Sequence, residues 1–241
     1  KGNVNWMKSH EIRMASGAFG DMAEDIKPII PSGTSDSGAL DAVFEVLVRS
    51  GRNAPMAKTM LVPEAWSKQT ANMPKAWADM YSYCNSVIEP WDGPAALAMT
   101  DGRWVCGGLD RNGLRPMRYV ITGDGLLIAG SEAGMVPVDE STVREKGALG
   151  PGQMIAVDMQ EGRLFHDVEL KDKLASAQPY GDWIEKIVDL NALLREVPEE
   201  PIYTGADLRR RQIAAGYTLE ELEQVLVPMA EDGKEMIASM G

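Results

Sequence analysis

The sequence predicts an α+β chain: mainly antiparallel strands framed by helices, followed by the helices of a second domain. Three observations carry this. Ala95–Gly130 reads as four short strands closed by tight turns. Ahead of it, Leu40, Val43, Phe44, Leu47 and Val48 recur at i, i+3, i+4, i+7 and i+8, the stripe of an amphipathic helix over Ala39–Arg49. Beyond a break at Val197–Pro201 (VPEEP), the texture becomes helical, with a basic opening. The expected division is therefore 1–196 and 197–241.

Taken in order, Asn3–Met14 suggests a short helix with Asn3 as N-cap and Trp6, Met7, His10 and Met14 on one face. Asp25–Pro31 is held extended by two prolines. The small polar loop Pro31–Gly38 runs into the amphipathic helix, which Gly51 stops. Asp36 stands at the mouth of that helix. From local sequence it is either an N-cap accepting backbone N–H groups or a carboxylate placed to hold a ligand's ammonium group, and the cap is the commoner use.

Met60–Trp66 reads as a loop, and Pro74–Tyr83 as a helix whose Trp77, Tyr81 and Tyr83 pack in a core. Ala95–Met99 and Trp104–Leu109 are hairpin strands around Thr100-Asp101-Gly102. After the Gly-, Asn- and Pro-rich loop Asp110–Pro116, Met117–Thr122 and Leu126–Gly130 form a second hairpin around Gly123-Asp124-Gly125. Gln153–Asp158 is a further strand, paired with Arg163–Phe165. Lys171–Leu174 and Trp183–Leu194 are helical, the latter with Ile184, Ile187 and Val188 on one face. In the tail, Asp207–Ala215 is a helix carrying Arg209, Arg210 and Arg211, whose charges are expected to pair with nearby acids. Thr218 and Glu221 form a capping box for a last helix that buries Leu222, Val225, Leu226 and Met229.

The bulk numbers exclude some function classes. A net charge of −12 argues against a nucleic-acid or anionic-membrane surface. No apolar run approaches the roughly 18 residues of a membrane-spanning helix. Two cysteines, Cys84 and Cys106, are too few for a disulfide scaffold and match no zinc motif, which favours a cytoplasmic location. Neither has a basic neighbour to activate it, so both are expected to be buried and inert. The two histidines, His10 and His166, fall in no metal-ligand pattern. No metal, cofactor or catalytic residue is therefore expected within these residues.

Four separated stretches add a resemblance. SGTSDSGALDAVFEVL (Ser32–Leu47), EPWDGPAAL (Glu89–Leu97), LDRNGLRPMRY (Leu109–Tyr119) and Arg209–Gly241 resemble, in order, the large subunit of glutamate synthase. Asp110–Pro116 also looks like the strand-turn signature of class II glutamine amidotransferases in general. The resemblance implies an N-terminal-nucleophile (Ntn) hydrolase fold, an αββα four-layer sandwich. It implies a mature N-terminal cysteine that attacks the side-chain amide of L-glutamine, with its own α-amine as base and fixed N–H donors around the oxyanion. The ammonia released would serve reductive synthesis of L-glutamate from 2-oxoglutarate.

In that family Asp36 corresponds to the aspartate that pairs with the glutamine α-ammonium. The nucleophile and the oxyanion-hole Asn-Gly pair are expected upstream of Lys1, so this segment supplies scaffold and glutamine binding and is inactive alone. FMN and an iron–sulfur cluster are implied for the intact parent, on polypeptide beyond this segment. A small NAD(P)H-oxidising subunit is the implied partner, alongside the remainder of the same large subunit. Two other readings remain: a non-catalytic interdomain module, and another class II amidotransferase.

Overall fold

The computed structural model describes residues 8, 11, 14, 16–66, 72–188, 190–193 and 201–233. Most of the helix expected over Asn3–Met14, residues 194 and 197–200, and the last residues of the chain lie outside them. The chain divides into two compact units, Lys1–Ile187 and Val188–Gly241.

The first unit opens with a 3₁₀ turn at Gly17–Ala23 and then three helices: α1 (Asp36–Arg49), α2 (Ala54–Leu61) and α3 (Lys75–Val87). The amphipathic stripe predicted for α1 is the face it buries, through Ala39, Leu40, Val43 and Leu47. The helix starts three residues earlier than the stripe implied, because Ser35 caps it: the Ser35 hydroxyl accepts the Gly38 N–H at 3.1 Å. Asp36 is thus the first helical residue and not the cap.

The loop expected at Met60–Trp66 begins two residues late, because α2 runs through Leu61. All eight residues of α2 are buried, so its sequence has no polar face to set against an apolar one. Asn53 caps it, with Pro55 inside the first turn. In α3, Met80, Tyr81, Ser82 and Cys84 are buried.

Strands β1 (Ala96–Thr100), β2 (Trp104–Leu109), β6 (Met154–Asp158) and β7 (Arg163–Phe165) form an antiparallel sheet in that spatial order. Cys106 lies across from Met99 on one side and Ala156 on the other. A second antiparallel sheet orders β4 (Leu127–Gly130), β3 (Arg118–Thr122) and β5 (Val143–Ala148). Then α4 (Asp167–Ser176) packs against α3 and β6. One apolar cluster joins α1–α4 to the four-stranded sheet, from Ile30 and Val43 through Met60, Tyr81, Trp104 and Met154 to Phe165 and Leu170.

The helix expected over Trp183–Leu194 is interrupted. A short α5 (Tyr180–Ile184) is anchored by contacts of the Trp183 ring with Tyr83 and Tyr180. Ile187 and Val188 are exposed beyond it and pack no face. A further turn of helix, α6, follows at Leu190–Leu193.

In the second unit, α7 (Gly205–Ala214) carries the arginine triplet. Arg210 and Arg211 both pair with Asp207, and Arg211 stacks over Tyr203 at 3.7 Å from the ring centre. Thr218 and Glu221 form the expected capping box at the start of α8 (Leu219–Glu221). The helix then widens to a π turn at Leu222–Leu226 before α9 (Val227–Asp232). Pro228 has no N–H for the carbonyl four residues back, which favours that widening.

Candidate functional site

A cavity of about 260 Å³ opens at the N-terminus of α1. Asp36, Ser37 and Leu40 of α1 line one side, Val62 the floor beyond α2, and Trp91–Leu97 with Arg115 the rest. Its position follows from local chemistry. Ser35 satisfies the Gly38 amide, which leaves the Asp36 carboxylate free of the capping task. A Cβ at Gly38 would press on the Thr34 hydroxyl, which would have to turn aside.

The opposite wall is tied down in three places. The Trp91 N–H donates to the Leu61 carbonyl at 2.6 Å. Arg111 donates to Asp92 at 2.7 Å. The buried Asp110 carboxylate accepts the amides of Ala95 and Asn112, both at 2.9 Å. Burial alone would raise the Asp110 pKa, but these N–H donors hold it below the usual carboxylate range. The Trp91 indole Nε1–H is buried among these groups and has no hydrogen-bond partner among the described residues.

The result is a small, largely apolar chamber with two carboxylates and one guanidinium at its margins, suited to a compact zwitterion. Two matches to protein families account for nearly the whole sequence. Residues 1–183 match the class-II glutamine amidotransferases, and residues 210–241 match the glutamate synthase central domain.

The chain belongs to the class II glutamine amidotransferases.

Among relatives, the NADPH glutamate synthase large chain of Azospirillum brasilense is 60% identical over the whole of this chain. The corresponding protein of Bacillus subtilis is 40% identical, and ferredoxin-dependent glutamate synthase 2 of Synechocystis 43%, again over the whole chain. In each case this chain spans 16% of the relative's length.

The two cysteines of this amidotransferase chain lie apart from the cavity lining, in α3 and β2, both buried. Burial pushes each thiol up to about 12, so neither is a thiolate near neutral pH. His166 sits before α4, 3.5 Å from Glu145, and His10 lies outside the described residues. Among the described residues no three His, Cys, Asp or Glu side chains cluster as a metal site. No described helix is long and apolar enough to cross a membrane.

Sequence reasoning missed a buried polar cluster behind the cavity wall. Lys171 of α4 reaches Asp167 at 2.8 Å and Glu64 at 3.1 Å, and Tyr81 of α3 donates to Glu64. Lys58 of α2 lies beside them, donating to the Gly152 carbonyl at 3.4 Å. Lys58 and Lys171 are each 1% exposed. Long-chain lysines in buried helices leave no mark in a hydrophobic pattern; the adjacent Gly107-Gly108 in a strand was the available signal.

Proposed function

We propose that this chain is the later part of the glutaminase domain of a glutamate synthase large chain, followed by the opening helices of its central domain. The domain break is placed at Val197–Pro201. In this reading the cavity at α1 receives L-glutamine, and Asp36 pairs with its α-ammonium group. The observation that carries it is that Asp36 is released from capping by Ser35 and lines a chamber of amino-acid size. A carboxylate there makes a charge-assisted bond worth about 1.5–3 kcal/mol.

The match to the glutamate synthase central domain at residues 210–241, following the amidotransferase match over residues 1–183, supports this parent over another class II amidotransferase or an interdomain module. The two antiparallel sheets with helices before and after them suit an Ntn-hydrolase sandwich. The nucleophile of glutamine hydrolysis is assigned to polypeptide outside these 241 residues, because both cysteines here are protonated, buried and lack a free α-amine. The released ammonia would serve glutamate formation from 2-oxoglutarate.

FMN and an iron–sulfur cluster belong to the rest of such a parent. Both cysteines here are buried thiols held protonated, and among the described residues no three His, Cys, Asp or Glu side chains come together, so these residues do not fit a cluster. A small NAD(P)H-oxidising subunit and a cytoplasmic location complete the proposal, supported by the words "large chain" in relatives' names and by the two free thiols.

The test is Asp36→Asn in the intact large chain. The glutamine KM should rise about 10- to 150-fold, the equivalent of a lost charge-assisted bond, while synthesis from added ammonia persists. An unchanged KM overturns the assignment.

A further inference from the structure

The buried cluster behind the cavity wall is connected to it by a continuous run of contacts. The Lys58 side chain crosses β2 at Gly108, where an added Cβ would stand 2.7 Å from its Cε. Only the missing side chain lets the lysine through. At its end, Nζ donates to the Gly152 carbonyl. Gly152, itself buried with φ +69° and pressed against Glu64, donates its amide to the Asp110 carbonyl at 2.8 Å. Next to it, Pro151 fits against Gly113 with no room for a Cβ at 2.8 Å. Asp110 in turn holds Ala95 twice, by its carboxylate and by its own N–H, and Ala95 belongs to the cavity lining.

We propose that Lys58 is a positioning residue for the cavity: its ammonium holds the Gly150–Gly152 turn and, through Asp110, sets the Trp91–Leu97 wall. This rests on the reading of that cavity as the glutamine site. The titratable groups facing Lys58 are Lys171 and Asp167 from α4, Glu64 after α2 with Tyr81 of α3 bonded to it, and the protonated Cys106 thiol from β2. With two lysines against two carboxylates, the cluster is formally neutral. Among the described residues, Lys58 is the member that donates to the backbone turn, while Lys171 occupies both acids.

Burial, with a contribution from Lys171, pulls the Lys58 pKa down from 10.5 to about 8. The ammonium is therefore present below that pH and lost as pH rises through it. The sign for stability is opposite to that for positioning. A lysine depressed by folding contributes stability fully above about 10.5 and loses it as pH falls through about 8. Weaker glutamine binding through that window would therefore not be unfolding.

The experiment compares the intact large chain with its Lys58→Met form, which fills the same channel without charge. At about pH 7 the variant should show a glutamine KM raised about tenfold with kcat within about twofold. The wild-type KM should climb about threefold or more as pH rises through about 8, and the variant's should stay flat relative to it; glutamine's own amine titrates equally in both. Amide exchange at Gly152, Ala95 and Asn112 should quicken about tenfold in the variant, with β3 and β4 unaffected.

Equal KM and equal exchange in the two proteins overturn the proposal. If Lys58→Met does not fold, Gly108→Ala displaces the same Cε and must give the same KM increase, with the pH profile again read against the wild type. Asp36→Asn separates the two readings. If it raises KM and Lys58→Met does not, only the positioning role fails. If it leaves KM unchanged, the cavity is not the glutamine site, and the exchange measurement alone decides for or against Lys58.

Discussion

At the first turn of α1, adjacent residues have different tasks: Ser35 closes the helix and Asp36 faces the cavity. Their substitutions should lose different things. Ser35→Ala should cost about 1 kcal/mol of stability, measured by urea unfolding, since it removes a cap. Asp36→Asn should show its effect in glutamine KM. The sequence made both residues visible as polar groups before an apolar stripe, but the stripe begins at Leu40 and does not say which of them caps. A different acid, Asp158, is expected to contribute to acid sensitivity. It is fully buried at its side chain and accepts hydrogen bonds from Arg103, Gln160 and Glu161. The Arg103 hydrogen bonds are the largest cause that lowers its pKa from 3.8 to about 2. The folded pKa is depressed, so this stabilisation is present above about pH 4 and lost as pH falls towards about 2. Asp158→Asn should flatten the fall of the unfolding midpoint across that window; an unchanged slope would place the acid sensitivity elsewhere.

Among the elements, those with a two-sided environment were legible and those without were not. The β1–β2 and β3–β4 hairpins announced themselves through Asp-Gly turns, and β6–β7 through Gly162. Strand β5 (VREKGA) did not: its inward positions are Val143, Glu145 and Gly147 in place of an apolar row. Glu145 is acceptable there because Tyr119 donates to it at 2.8 Å, and Gly147 because the Tyr119 ring lies over it. Gly147→Ala should therefore destabilise the three-stranded sheet by about 1–3 kcal/mol, since a Cβ would come within 2.4 Å of that ring's hydroxyl oxygen. Helix α2 was hidden for the opposite reason, being buried on every side. Its one sequence signal was the Asn53 cap followed by Pro55, and Asn53→Ala should cost about 1 kcal/mol by the same unfolding measurement.

For the molecule as a whole, the apolar cluster that encloses Cys84 and Cys106 joins four helices to one sheet. Both thiols should resist a disulfide reagent in the native state and react together at the rate of global opening, which a stopped-flow trace in rising urea would check. The largest consequence lies in two residues of β2. Side chains at Gly107 and Gly108 would point to opposite faces of the sheet. A Cβ at the first would meet the Met117 sulfur at 2.8 Å, and at the second the Lys58 chain at 2.7 Å. A sheet ordinarily insulates one face from the other, but this notch admits a guest from each. Energetic independence across the barrier is then forfeited: paired substitutions of Met117 and Lys58 should depart from additivity as if the two residues were neighbours.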